Sequence, residues 1–253
     1  MARYLYLCIA LIFARCVLGS AVARNTTKRS LKLDPRALQN ASFHNGHPTG
    51  NESASLTSHN NFVNFCISRH SMGATLMNGN QSPHNYSCNS IPMGMIVAPD
   101  QMPSCKFRHP HNLSKLKASE TFKIILEIKK MVTGRFVNAN ESYFSAPQQL
   151  SKRTKEVIGH AHVVIQAIPD LKSTSPLDPR EFVFFKGIDN PVSEDGTSTV
   201  EVPGACQWVL IVVLKIRTTN RLASILTAAN HQPVLAGVAR RGTFDDVVYF
   251  VVE

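Results

Sequence analysis

Apolar and polar positions alternate along much of the second half of the chain. From Thr121 to Ile128, Phe122, Ile124, Leu126 and Ile128 fall on one side and Lys123 and Glu127 on the other, the period-two pattern of a half-buried strand. Further strands are predicted at residues 105–108, 157–167, 182–186, 197–202, 222–226 and 246–252. Phe182-Val183-Phe184-Phe185 and Val247-Val248-Tyr249-Phe250-Val251-Val252 are near-continuous β-formers and are predicted to be central strands. Short strands parted by Pro, Gly and Asn predict an all-β fold over residues 103–253, an antiparallel immunoglobulin-like β-sandwich. Helical periodicity is scarce, and Ala146-Pro147-Gln148-Gln149-Leu150 predicts one helical turn.

The strand with the most chemistry is Gly159-His160-Ala161-His162-Val163-Val164-Ile165-Gln166. Alternation places Ala161, Val163, Ile165 and Ala167 toward a core, and His160, His162, Val164 and Gln166 on the other face. Two histidines at i and i+2 project from one face about 7 Å apart at the backbone, close enough to share an ion. His231, in the loop-like Ala229-Asn230-His231-Gln232-Pro233, is the candidate third ligand, and Asp245 or Asp246 a candidate carboxylate. Such a set suits copper or zinc with a position left for water.

Earlier residues are organised differently. Arg3, the ten-residue apolar run 4–13 and the small residues Ala21-Val22-Ala23 read as a signal peptide over 1–23. The run is shorter than the ~20 apolar residues that span a bilayer, so no transmembrane anchor is expected. Residues 24–62 are polar and predicted to be a disordered leader, with a dibasic Lys28-Arg29 as a candidate processing site. Residues 63–102 read as a loop-rich collar, with turns at Asn78-Gly79, Ser82-Pro83 and Ile91-Pro92.

An exported chain matures where disulfides form. Cys8 and Cys16 leave with the signal, and Cys66, Cys88, Cys105 and Cys206 allow three pairings. A Cys66–Cys88 bridge is favoured, because it staples a segment rich in Gly, Asn and Ser that lacks a core. Sequons at Asn25, Asn40, Asn51, Asn80, Asn85, Asn112 and Asn140 add the expectation of N-glycosylation on exposed sites. The net charge of +10 is scattered, with no aromatic interleaving to stack bases, so nucleic acid is not an expected partner. Attraction to an acidic surface such as wall polysaccharide is the modest implication.

Ile91-Pro92-Met93-Gly94, the Tyr143–Leu150 stretch, Gly159-His160-Ala161-His162-Val163, Pro176-Leu177-Asp178-Pro179, Phe184-Phe185-Lys186-Gly187, Ala229-Asn230-His231-Gln232-Pro233-Val234 and Asp245-Asp246 form an ordered series of motifs. Together with Cys66 and Cys88, they resemble a family of fungal secreted proteins labelled extracellular serine-rich or hypothetical, and sometimes mislabelled as ribosomal. The resemblance runs from about residue 65 to Glu253 and implies a secreted fungal protein without a particular activity. In that family Pro203-Gly204 would lead almost directly to Arg221-Leu222-Ala223. Residues 205–220 therefore read as an insertion of retained-intron type, and neither Cys206 nor Trp208 inside it is given a role.

Several chemistries lack their residues. There is no Gly-x-Ser-x-Gly nucleophile elbow, no phosphate loop and no nucleotide fingerprint. A copper oxygenase of the histidine-brace type needs a histidine at the mature N-terminus, which neither Arg24 nor Ser30 supplies. The remaining histidines, His44, His47, His59, His70, His84, His109 and His111, fall in loop or leader and are expected to be solvated. The reading is of a secreted, glycosylated, non-enzymatic protein that contacts wall polysaccharide or a host surface. The alternative is a copper or zinc enzyme centred on His160, His162 and His231.

Overall fold

The computed structural model describes residues 32–45, 47, 57–78, 87–137, 139, 143–144, 147–204 and 218–253. The expected signal, the sequons at Asn25, Asn51, Asn80, Asn85 and Asn140, and Cys206 with Trp208 lie outside the described residues. The chain divides into two units, Met1–Asn61 and Phe62–Glu253. In the first, described residues form two short 3-10 turns, Pro35–Ala37 and Asn40–Phe43. Asp34 caps the former by accepting from the Arg36 N–H at 2.9 Å. The Asn61 side chain accepts from the Gln39 N–H at 2.7 Å.

The second unit is built of strands. A two-residue parallel pair, β1 (Thr75–Leu76) and β2 (Ser87–Cys88), lies beside the disulfide that joins Cys66 to Cys88. A three-stranded antiparallel sheet has the order β3 (Ser104–His109), β5 (Phe122–Lys129), β9 (Thr197–Val202). A larger sheet runs β4 (Ser114–Leu116), β11 (Val247–Val252), β10 (Thr218–Ala228), β7 (Val157–Ile168), β6 (Met131–Val132), with β8 (Phe184–Ile188) also on β7.

Both sheets feed one hydrophobic cluster. Ile124, Leu126, Ile128, Val200 and Val202 come from the smaller sheet, and Val163, Ile165, Leu222, Val248 and Phe250 from the larger. Phe122 meets Phe250 edge-on, with ring centroids 5.8 Å apart. Burial of each such side chain contributes about 1.5–3 kcal/mol. Along β5 the expected alternation is present: Ile124, Leu126 and Ile128 are buried while Lys123 and Lys129 are exposed.

The fold is all-β, and the structure corrects details of its expected form. Two pairings of the larger sheet, β4 with β11 and β6 with β7, are parallel, so the sheet is mixed rather than antiparallel throughout. Among the described residues, strand β8 pairs with β7 alone and is an edge, with Phe182 and Phe185 about half exposed, whereas Val247–Val252 is flanked on both sides as expected. A run of β-formers signals a strand but not how many neighbours it has. Gln148 and Leu150 form isolated β-bridges in place of the expected helical turn. The fully buried Gln148 amide donates to the Met95 and Leu235 carbonyls and accepts from the Leu235 N–H, tying two loops together. Thr218, Thr219 and Asn220, placed by the sequence reading in an insertion, are ladder residues of β10.

Candidate functional site

Strand β7 presents its two histidines because it is held on both sides. In register, His160 lies opposite Thr227 and His162 opposite Ile225 of β10, while Gly187 of β8 faces His162 from the other edge. Gly159 is needed for this fit: a Cβ there would come within 1.9 Å of the Thr227 carbonyl oxygen. After β10 the chain turns at once. The His231 N–H donates to the Ala228 carbonyl and the Ala229 N–H to the Ile158 carbonyl. His231 itself has φ 71°, in the left-handed region that non-glycine residues rarely occupy. That turn swings its imidazole back over β7.

The three imidazoles meet. Their ligand nitrogens all lie within 4.8 Å of one another, and His160 Nε2 is 3.1 Å from His231 Nδ1. The rings of His160 and His231 are nearly perpendicular, with centroids 4.6 Å apart, and those of His162 and His231 are parallel at 5.9 Å. His160 is fully buried and His231 nearly so. Phe136, Tyr143 and Phe185 pack around the cluster, against His160, His231 and His162 respectively.

Proton positions follow from the outer contacts. A carbonyl oxygen only accepts, so His160 Nδ1–H donates to the Arg135 carbonyl at 3.2 Å and His231 Nε2–H to the Val137 carbonyl at 2.8 Å. In that arrangement the inner nitrogens, His160 Nε2 and His231 Nδ1, face each other across 3.1 Å, a contact that becomes an N–H···N hydrogen bond when His160 carries its proton on Nε2 instead. In that other tautomer the bare Nδ1 faces the Arg135 carbonyl and has the Thr227 hydroxyl, 3.3 Å away, as a donor. Thr227 Oγ1 is 3.3 and 3.2 Å from the two ring nitrogens of His160 and 3.4 Å from the His160 carbonyl oxygen, so its hydroxyl is within reach of all three. Burial, reinforced by His162 and His231, pushes the His160 pKa down to about 4 against the opposing pull of the Arg135 carbonyl. His162 is lowered as well, mainly by burial and then by His231, with Asp189 acting in the opposite direction.

Asp245 and Asp246 do not join the cluster. Asp245 accepts from the Leu226 N–H at 2.7 Å, and burial raises its pKa. Asp246 accepts from the Phe107 N–H at 2.9 Å and pairs with Lys106 at 3.1 Å, linking β11 to β3. A carboxylate at the start of a strand has unpaired backbone N–H groups beside it, and these two are used on them. The acidic residue nearest His162 is Asp189, just past β8: a Cβ on Gly187 would sit 3.1 Å from its carboxylate and 3.4 Å from the His162 ring. Nothing in the spacing of Asp189 from the histidines announced it. Of the sequons, Asn40 and Asn112 are described, and both are exposed. Asn112 Oδ1 accepts from the Tyr249 N–H at 2.8 Å, which leaves its Nδ2 facing outward from that bond. His44, His47, His59 and His111 are exposed and His109 is half-buried, all outside the three-imidazole group.

Among the described residues, no helix is long and apolar enough to cross a membrane. No solved structure matches the chain. It is 34% identical over 223 residues to the pathogenicity cluster 5 protein d of Colletotrichum graminicola, an alignment that covers 88% of this chain and 43% of that relative. The chain thus spans less than half the length of this fungal protein. Residues 105–253, which carry all three histidines and both sheets, match the CLU5d N-terminal domain. The chain belongs to the CLU5d N-terminal domain family.

Proposed function

We propose that this protein is a secreted, pathogenicity-related fungal protein whose β-domain holds one copper or zinc ion on His160, His162 and His231. The observation that carries the metal is the convergence of three imidazoles whose ligand nitrogens all lie within 4.8 Å of one another, His160 Nε2 and His231 Nδ1 being 3.1 Å apart. Two imidazole nitrogens bound to one ion at ~2.0–2.1 Å, at angles between a right angle and the tetrahedral value, sit roughly 2.9–3.4 Å apart. An ion therefore fits between these two nitrogens with little movement, and a rotation of His162 supplies the third bond. The backbone carbonyls of Arg135 and Val137 hold the outer N–H groups, the arrangement that fixes ring orientation and raises ligand basicity in metal sites. Three nitrogen ligands leave a coordination position for water or a small ligand.

Export rests on the N-terminal apolar run and is supported by the Cys66–Cys88 bridge. Glycosylation is supported by the exposure of Asn40 and Asn112. The test is metal analysis of the full chain purified from a secreting host, followed by titration with zinc and with copper. One equivalent of either, absent in His160→Ala and His231→Ala, is expected. No stoichiometric uptake by the folded wild type sinks the metal reading.

A second reading, contact with wall polysaccharide or a host surface, is favoured by exposed Phe136, Phe182 and Phe185 beside the cluster. Aromatic faces of this kind stack on the apolar faces of sugar rings. Its test is retention of the purified protein on chitin, β-glucan or wall preparations, and passage through all of them counts against it.

A further inference from the structure

On the same face of β7, four residues beyond His162 and so about 13 Å along the strand, a second cleft is built around an arginine. Gln166 of β7, Arg221 of β10 and Tyr249 of β11 stand opposite one another in register. The loop carrying Ser173, Ser175 and Pro176 forms the other wall. Gln166 is buried, and its amide N–H groups are spent on the Asp178 and Glu181 carbonyls at 3.1 and 3.0 Å. Its Oε1 is thereby fixed in place, and it accepts from Arg221 Nη1 at 3.0 Å.

That bond orients the guanidinium without neutralising it. Among the described residues, no carboxylate pairs with Arg221, and no acidic residue lines the cleft. Of the loop's acids, Asp170, Asp178 and Glu181, none lines the cleft, and Asp178 is engaged by Arg180 at 2.5 Å. A half-buried cation held by a neutral amide, with the rest of its fork of N–H donors facing a cleft edged by hydroxyls, is arranged to receive an anion. We propose that the Arg221 cleft binds a carboxylate-bearing ligand through the guanidinium fork, with the Ser173 and Ser175 hydroxyls alongside. A single positive charge matches a monoanion and leaves a phosphate dianion half neutralised, which selects the carboxylate. The proposal stands on residues separate from the histidine cluster and does not depend on a metal there.

The test is an NMR titration of the isotope-labelled full chain with galacturonate, with neutral galactose, and with inorganic phosphate. Saturable shifts centred on the Arg221 Nε–H with galacturonate, and none with galactose, are expected. Arg221→Gln is expected to weaken binding at least about tenfold, and Arg221→Lys, which keeps the charge but loses the planar fork, to weaken it by a similar factor. The lysine variant preserves the test if the glutamine variant does not fold. An equal response to galactose, no saturable response to galacturonate, unchanged affinity in a folded variant, or phosphate binding as tightly as galacturonate would each overturn the proposal.

Discussion

Along β7, Ala161, Val163 and Ile165 enter the core shared by the two sheets, while His160 and Gln166 on the opposite face are as deeply buried as those apolar residues. The two faces reach the same burial by different means. The inner face is matched by apolar side chains of β5 and β9, and removal from water is its whole reward. The outer face needs a named partner for every polar atom: backbone carbonyls for His160, His231 and Gln166, and a glutamine oxygen for Arg221. The three imidazoles converge on one point, and the rest of the Arg221 fork faces a cleft. Polar groups are costly to bury without partners, and such convergence is what the proposed metal and carboxylate sites rest on.

The sharpest way to break this comparison is to damage the inner face. Leu222→Ala removes a fully buried side chain from the shared core. It should lower unfolding stability by about 2–5 kcal/mol in denaturant titrations, while the protein that remains folded keeps its metal stoichiometry. A cost near that of a surface substitution would mean that the inner face is not the stabilising one.

The outer face should respond to pH instead. With the His160 pKa down to about 4 in the folded protein and ~6.5 in the unfolded chain, both states are neutral above ~6.5 and the group contributes no pH dependence there. As pH falls from ~6.5 the unfolded state takes up the proton first, so metal-free protein should lose up to ~3 kcal/mol by about pH 4, after which this loss levels off. Urea midpoints measured across that range, compared with His160→Gln, isolate the effect. An equally steep slope in the variant would assign the pH dependence to other groups.

Thr227→Val tests the boundary between the faces. It removes the hydroxyl beside His160 while keeping the β-branched shape that suits β10. A stability change of about 1 kcal/mol and a roughly tenfold weaker metal affinity are expected, read by denaturation and by competition with a chelator. A stability loss with unchanged metal affinity would make Thr227 purely structural.

The smallest effect concerns Cys105, which borders the inner core. Burial, the largest influence, pushes its thiol up to about 11, while contacts to Ser224 and the Phe244 carbonyl hold it in place. Alkylation at about pH 8 should therefore be slow in the native protein and fast after unfolding. Rapid native modification would show that this edge of the core opens readily.

The strands were legible wherever they were long enough to show a period. Those over 105–108, 121–128, 157–167, 197–202 and 246–252 recur as β3, β5, β7, β9 and β11 within a residue or two. Two- and three-residue strands such as β4 and β6 carry no detectable alternation, and they exist only because a neighbouring strand offers backbone partners. Edge or centre was equally illegible: Phe182-Val183-Phe184-Phe185 reads like a core strand, yet β8 has one neighbour. Asp245 illustrates the same limit at the site. Its charge and position suited a ligand, but a main-chain N–H of Leu226, 19 residues away, claims it.

By itself the sequence determined that this is a β-protein, which side of β7 is apolar, and that two histidines share the other side, because strand alternation is a local property of the backbone. The tertiary structure alone decided that His231, 71 residues away, closes on His160, and that two carbonyls lie against the outer ring nitrogens while the inner ones face each other. It also decided that, among the described residues, Arg221 meets Gln166 and no acid. Contacts of this kind depend on register and on loop closure across the sheet, and nothing along a single strand encodes them.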